Sequence, residues 1–109
     1  MDLRGVVRHI EVGLVDFYII LGEDESGALQ HTSIQGARTN GDIRHLLVGV
    51  SELINLCLLY KVPVLKIADR LRFIRGETAG VTKDRNIALS ILDYIGRMLE
   101  ERYKEKQSA

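Results

Sequence analysis

Residues 14–35 read Leu14-Val15-Asp16-Phe17-Tyr18-Ile19-Ile20-Leu21, then Gly22-Glu23-Asp24-Glu25-Ser26-Gly27, then Ala28-Leu29-Gln30-His31-Thr32-Ser33-Ile34-Gln35. The first block is rich in β-branched and aromatic side chains, which suit a pleated, half-buried surface. The polar stretch that follows is bounded by glycines and has the composition of a hairpin turn. The last block is more polar than its partner, as suits an edge strand. Upstream, Val6, Val7, Ile10 and Val12 form another β-favouring run, set off by Gly13. Residues 4–36 therefore predict a three-stranded antiparallel meander.

Downstream of the meander the period changes from that of a strand to that of a helix. Thr39-Asn40-Gly41-Asp42 has the Thr-x-x-Asp spacing of a capping box. Apolar residues then recur at Ile43, Leu46, Leu47, Val50, Leu53, Ile54, Cys57 and Leu58, a helical stripe. Val48, Leu56 and Leu59 fall outside it, so this helix is apolar over much of its circumference and must be covered on more than one side. A single sheet layer cannot do that, and the surplus predicts an interface shared between copies of the chain. Pro63 sits where proline is tolerated, in the first turn of a short second helix. A last helix is expected from near Asp84, with Ile87, Ala88, Ile91, Leu92, Ile95, Met98, Leu99 and Tyr103 on its buried face. The expected class is α+β: one domain over residues 1–109, a three-stranded meander followed by three helices packed on it, at about 42–60, 64–72 and 84–104.

Composition narrows the function classes. The chain has 109 residues, 46% hydrophobic and 28% charged, which is a globular and not a disordered composition. Lys plus Arg and Asp plus Glu number 15 each, a formal net charge of zero. A protein devoted to a nucleic-acid backbone needs a basic excess, so nucleic acid is not the expected partner. Cys57 is the single cysteine, which excludes an internal disulfide framework and a multi-cysteine zinc site. Charges at Asp2, Arg4, Arg8 and Glu11 interrupt any signal-peptide pattern at the start. No stretch approaches the roughly 20 apolar residues of a membrane helix. A cytoplasmic protein without a membrane partner is expected.

Catalytic and metal chemistry find little support. His9 and His31 fall on strands and His45 on a helix, with no His-x-His or His-x-x-x-His pair, so no metal site is expected. Cys57 lies in the apolar stripe, where a thiol behaves as a small hydrophobe. Ser33, Ser51 and Ser90 lack a glycine elbow or a local base. Glu23, Asp24 and Glu25 form an acidic turn expected to sit in water; consecutive acids alone are a weak cation signal. No catalytic residue and no cofactor is expected, and the chain reads as a non-enzyme.

Two junctions carry more. In the loop 72–83, Arg72, Arg75, Lys83 and Arg85 flank two glycines together with Thr78 and Thr82, and the loop leads toward the last helix. A helix N-terminus offers unpaired N–H groups and a favourable dipole to anions, glycine lets backbone approach a phosphate, and arginine supplies a bidentate fork. This composition suits a phosphate-bearing small molecule. The competing structural role is a polar connection whose arginines pair with Asp69, Glu77 or Asp84. The second junction, residues 36–44, holds Arg38 and Asn40 beside glycines; capping by Thr39 and Asn40 competes with anion binding there. Neither junction has the spacing of a Walker loop or a dinucleotide fingerprint.

The order of these segments is familiar. A meander enters Gly36-Ala37-Arg38-Thr39-Asn40-Gly41-Asp42. A helix reading Leu53-Ile54-Asn55-Leu56-Cys57-Leu58-Leu59-Tyr60-Lys61-Val62-Pro63 follows, then Leu71-Arg72-Phe73, then a closing helix with Ile91-Leu92-Asp93-Tyr94-Ile95. Over roughly residues 14–100 this resembles the TSCPD-type accessory domain near the C-terminus of adenosylcobalamin-dependent ribonucleotide reductases. Where the name-giving Thr-Ser-Cys-Pro-Asp run would fall, the chain has Val81-Thr82-Lys83-Asp84-Arg85, lacking the cysteine and the proline. A chain of this length cannot hold the reductase barrel, its radical cysteine or its cobalamin site. The resemblance implies a stand-alone relative of an accessory domain, with a ribonucleotide reductase as an implied docking partner. Residues and resemblance together lead to the expectation of an oligomeric binding protein for a nucleotide-like molecule. In its sharpest form this is a phage-encoded sponge that sequesters a nucleotide-derived immune signal.

Overall fold

The computed structural model describes residues 2–12, 15–35, 41–74, 80–81, 87–88 and 90–108. Strands β1 (Arg4–Val12), β2 (Val15–Glu23) and β3 (Leu29–Gln35) are followed by helices α1 (Gly41–Leu59) and α2 (Val64–Leu71). Two short strands, β4 (Gly80–Val81) and β5 (Ile87–Ala88), precede the closing helix α3 (Ile91–Ser108). The first three strands form one antiparallel sheet in the order β1-β2-β3, the expected meander.

Register follows from the alternation of side chains. β1 and β2 pair without a slip from Arg4↔Glu23 to Val12↔Val15. Ile10 and Val12 of β1 share the buried face with Val15, Phe17, Ile19 and Leu21 of β2, whereas Val7 and Tyr18 are exposed. Between β2 and β3 the Asp24 carboxylate organises the turn. It accepts the Ser26 N–H at 2.9 Å, the Ser26 hydroxyl at 2.7 Å and the Ala28 N–H at 3.1 Å. The Ser26 hydroxyl, and after it the Ala28 N–H, holds the Asp24 carboxyl below its ordinary range. Gly27 takes the left-handed angle that closes the turn, φ 85°.

The core lies between this sheet face and one side of each helix. α3 contributes Ile91, Ile95, Met98, Leu99 and Tyr103, at helical spacing; α2 contributes Val64, Ile67 and Ala68. α1 contributes Leu47, Ile54 and Leu58 and, on the same stripe, Ser51. β3 is an edge strand, as its polarity suggests, and α1 closes it. Asn55 accepts the Thr32 N–H at 2.7 Å and donates to the Thr32 carbonyl at 2.9 Å. The Ser51 hydroxyl donates to the same carbonyl at 2.9 Å. A side-chain amide thus takes the place of a further strand.

Two expectations change. The last helix starts at Ile91, not near Asp84, which lies outside the described residues. Ile87 and Ala88 instead pair with Val81 and Gly80. Ile87 stands four residues before Ile91, a spacing compatible with a helix, so periodicity alone extends the helix too far. The true start is set by Ser90, whose hydroxyl accepts the Asp93 N–H at 3.0 Å.

The acidic turn is the second. Glu23 is only 4% exposed, not solvated. It continues the inward alternation of β2 and receives Arg102 Nε at 2.7 Å, Arg102 Nη2 at 3.0 Å and the Tyr103 hydroxyl at 2.5 Å. A buried carboxylate persists when a cation and hydrogen bonds meet it, and α3 supplies both. Among the described residues, no helix is long and apolar enough to cross a membrane.

Candidate functional site

Of the residues singled out for an anion, Arg72 is described; Arg38, Asn40, Arg75, Thr78, Thr82, Lys83 and Arg85 lie outside the described residues. Arg72 ends α2, its N–H bonded to the Ala68 carbonyl at 3.0 Å. Its guanidinium lies 4.7 Å from the centre of the Phe73 ring and donates through Nη1 to the Glu100 carboxylate. Among the described residues the partner of Arg72 is thus on α3, because α2 and α3 pack side by side; Glu77 and Asp84 lie outside the described residues. Arg72 Nε is buried and meets no acceptor among the described residues.

α2 and α3 approach closely at Gly96. A Cβ added there would stand 2.8 Å from the Ala68 carbonyl oxygen and 3.0 Å from the Arg72 nitrogen. Directly after this contact the chain turns at Phe73, whose φ of 68° is unusual for a bulky residue. The Phe73 N–H donates to Asp93 at 2.6 Å, and Asp93 also meets Arg97 Nε at 3.1 Å. Asp93 occupies the first turn of α3 with no exposed side-chain surface. The N-terminus of α3 lies at Ile91 and already has Ser90 and Asp93 at its first turn, which leaves its dipole served by a resident carboxylate.

The described cationic site lies further along the same two helices. A cleft of about 360 Å³ is lined by Lys66, Asp69, Arg70 and Arg72 of the α2 segment and by Glu100 and Lys104 of α3. Four cationic groups face two carboxylates. Lys66 and Arg70 stand four residues apart on one helix and Glu100 and Lys104 four apart on the other, so each pair shares a face. That i,i+4 spacing was the available sequence signal for Lys66, Arg70 and Lys104, which composition of the loop alone did not reveal.

Metal and nucleophile chemistry gain little. Among the described residues, one group of three, His9, Glu11 and Asp16, has donor atoms within 4.8 Å of one another. His9 Nε2 contacts the Asp16 carboxylate and its ring stacks on Tyr18 at 4.7 Å, which accounts for the arrangement on the sheet surface without an ion. Cys57 is half-buried beside apolar neighbours, in keeping with its place in the α1 stripe.

The family model of the TSCPD domain matches residues 1–103. The chain belongs to the TSCPD-domain family. No curated protein matches it, and no solved structure does. Membership relates this TSCPD domain to the accessory domains of ribonucleotide reductases, an accessory and not a catalytic type of domain. Leu71-Arg72-Phe73 and Asp93-Tyr94-Ile95, two runs that carried the resemblance, meet in space through the bond from Phe73 to Asp93. Of the segment aligned with the name-giving run, Val81 lies in β4 and residues 82–85 are outside the described residues.

Proposed function

We propose that this TSCPD domain is a non-catalytic, oligomeric binding protein for a nucleotide-like, phosphate-bearing small molecule. One observation carries the reading: Arg72, its Nε buried and without an acceptor among the described residues, stands with Lys66, Arg70 and Lys104 around one cleft. Arginine forks and lysine ammonium groups recognise phosphate oxygens, and clustering several beside low-dielectric walls strengthens each contact. The Phe73 ring, 62% exposed beneath the Arg72 guanidinium, offers a stacking surface of the kind a base uses. In its sharpest form the protein is a sponge that holds a nucleotide-derived immune signal without altering it, as a phage-encoded protein would to blunt a host response.

The test is a thermal-shift screen of cyclic nucleotides, ADP-ribose derivatives and deoxynucleotides, followed by calorimetry on any hit. A ligand at 100 times its Kd stabilises the folded state by about 2.7 kcal/mol, which a melting curve resolves. Arg70→Ala and Lys104→Ala alter exposed side chains and should abolish the shift while leaving the ligand-free melting temperature in place. A sponge returns its ligand chemically intact after heat denaturation; a changed product overturns the non-catalytic part. A flat screen overturns the ligand reading and favours the one that family membership supports, docking on a ribonucleotide reductase. A pull-down with a reductase then tests that second reading directly.

A further inference from the structure

Helices α1 and α2 adjoin in sequence but are anchored on different neighbours. Ser51 and Asn55 hold α1 to the edge strand β3. The lack of a side chain at Gly96 lets the end of α2 settle against α3. The turn between α1 and α2 is fixed by the Val62 N–H, which donates to the Cys57 carbonyl at 3.0 Å. Held to different neighbours, the two helices leave a groove of about 430 Å³ between them. Ile54 and Ile67, 4% and 8% exposed, form its floor; Val50, Leu53 and Cys57 line it from α1 and Leu71 from α2.

Small-molecule sites span roughly 300–1,000 Å³ and combine an apolar lining with a few polar groups that fix orientation. In this groove the polar groups are two, Lys66 and Arg70, and both are cations. Among the described residues, no carboxylate, amide or hydroxyl side chain lines it, and neither cation is engaged in an ion pair. The same two side chains also line the cleft between α2 and α3, so they form the ridge where the apolar groove meets the charged cleft. This combination specifies a ligand. A nucleobase or sugar laid in the groove would leave its donors and acceptors unpaired, so the groove takes hydrocarbon. The apolar stems of Lys66 and Arg70 continue its wall, and their charged ends take an anion.

We infer that the groove between α1 and α2 binds a single-chain amphiphile, its hydrocarbon tail along Ile54, Cys57 and Ile67 and its carboxylate or phosphate head on Lys66 and Arg70. This goes beyond the nucleotide-like ligand of the neighbouring cleft and stands without it. Cys57, the single cysteine, reports on the groove. Its labelling by N-ethylmaleimide is followed by mass spectrometry with dodecanoate or dodecyl phosphate, each below its micelle-forming concentration. At ten times its Kd a ligand leaves about one site in eleven empty, so labelling should slow about tenfold. Decyl phosphate should bind about fifteenfold more weakly than dodecyl phosphate, since each buried methylene contributes about a factor of four. Dodecyltrimethylammonium and inorganic phosphate, which carry the chain and the anion separately, should leave labelling unchanged. Lys66→Glu combined with Arg70→Glu should abolish the protection. Lys104→Ala, which alters the cleft and not the groove, should retain it. If Cys57 labels too slowly in the free protein, Cys57→Ser with Leu53→Cys moves the thiol to a position 64% exposed on the rim and gives the same readout. Equal protection by the ammonium, protection that survives the charge reversal, or no protection at all overturns the inference. So does loss of protection in Lys104→Ala, which puts the amphiphile in the cleft. Labelling of the free chain that quickens on dilution assigns the groove to a second copy, and protection by vesicles of anionic phospholipid alone assigns it to a membrane surface; either result also overturns the inference. A flat nucleotide screen bears on none of these outcomes, which keeps the two readings apart.

Discussion

The Asp93 carboxylate, fully buried in the first turn of α3, accepts the main-chain N–H of Phe73 at 2.6 Å, twenty residues earlier in the chain. The bond holds the left-handed turn that ends α2 against the start of α3, and Arg97 balances the charge from the next turn. A hydrogen bond to a charged acceptor is worth about 1.5–3 kcal/mol. Asp93→Ala should therefore lower unfolding free energy by at least about 2 kcal/mol in urea denaturation. Asp93→Asn, which keeps the shape and loses the charge, should fall between that variant and wild type.

Gly96 separates α3 from the end of α2. A methyl group there would press on the Ala68 carbonyl oxygen, 2.8 Å away, and that atom belongs to backbone that cannot swing aside. Gly96→Ala should destabilise by about 1–3 kcal/mol, against the direction of helix propensity. In Gly49, by contrast, the same substitution meets nothing within 4 Å of its own chain. Gly49→Ala should stabilise by up to about 1 kcal/mol. Melting curves of the two alanine variants, moving in opposite directions, check the pair.

Tyr103 links stability to alkaline pH. Burial, and after it the hydrogen bond to Glu23 and that group's charge, raises its phenol above the ordinary value of 10.0. The folded state therefore keeps a proton that the unfolded state releases above pH 10. Its contribution is whole below that pH and is lost as pH rises toward the folded value. Wild type should lose stability above pH 10 more steeply than Tyr103→Phe, as measured by urea midpoints from pH 8 to 11. At neutral pH the phenylalanine variant should be the weaker by about 1–2 kcal/mol, since Glu23 loses a donor.

Asn55 guards the sheet edge. Its amide satisfies both main-chain groups of Thr32, at 2.7 and 2.9 Å. Asn55→Ala should cost about 1–3 kcal/mol and leave the Thr32 N–H at the sheet edge without its acceptor. Faster amide exchange at Thr32 and increased aggregation near the melting temperature are the expected signs. Asn55→Asp keeps an acceptor for the Thr32 N–H but sets a carboxylate against the carbonyl, and should restore little.

Much of this was legible in the residues. The alternation of Val15, Phe17, Ile19 and Leu21 already specified one buried sheet face, and the next inward position on that strand is Glu23. What hid the fate of Glu23 was its place among three consecutive acids beside a turn. In α1 the periodicity showed that apolar residues exceeded what one layer covers, yet it merged two stripes into one. The structure separates Leu47, Ile54 and Leu58 inside from Leu46 and Leu53 outside. Of the residues singled out for an anion, Arg72 lines a cleft with Lys66, Arg70 and Lys104, which sit on helices and not in the glycine loop.

The sequence by itself determined the meander, the three helices that follow it and the excess of apolar surface on α1. These follow from local periodicity and turn chemistry, which depend on residues a few positions apart. Only the tertiary structure decided that Glu23 meets Arg102, that Arg72 pairs with Glu100, that Asp93 holds Phe73 and that Ile87–Ala88 leave the helix for a strand pair. The first of those pairs spans 79 residues and the second 28. Such partners are chosen by how whole elements dock, and a buried charge takes whichever counter-charge that docking brings within reach.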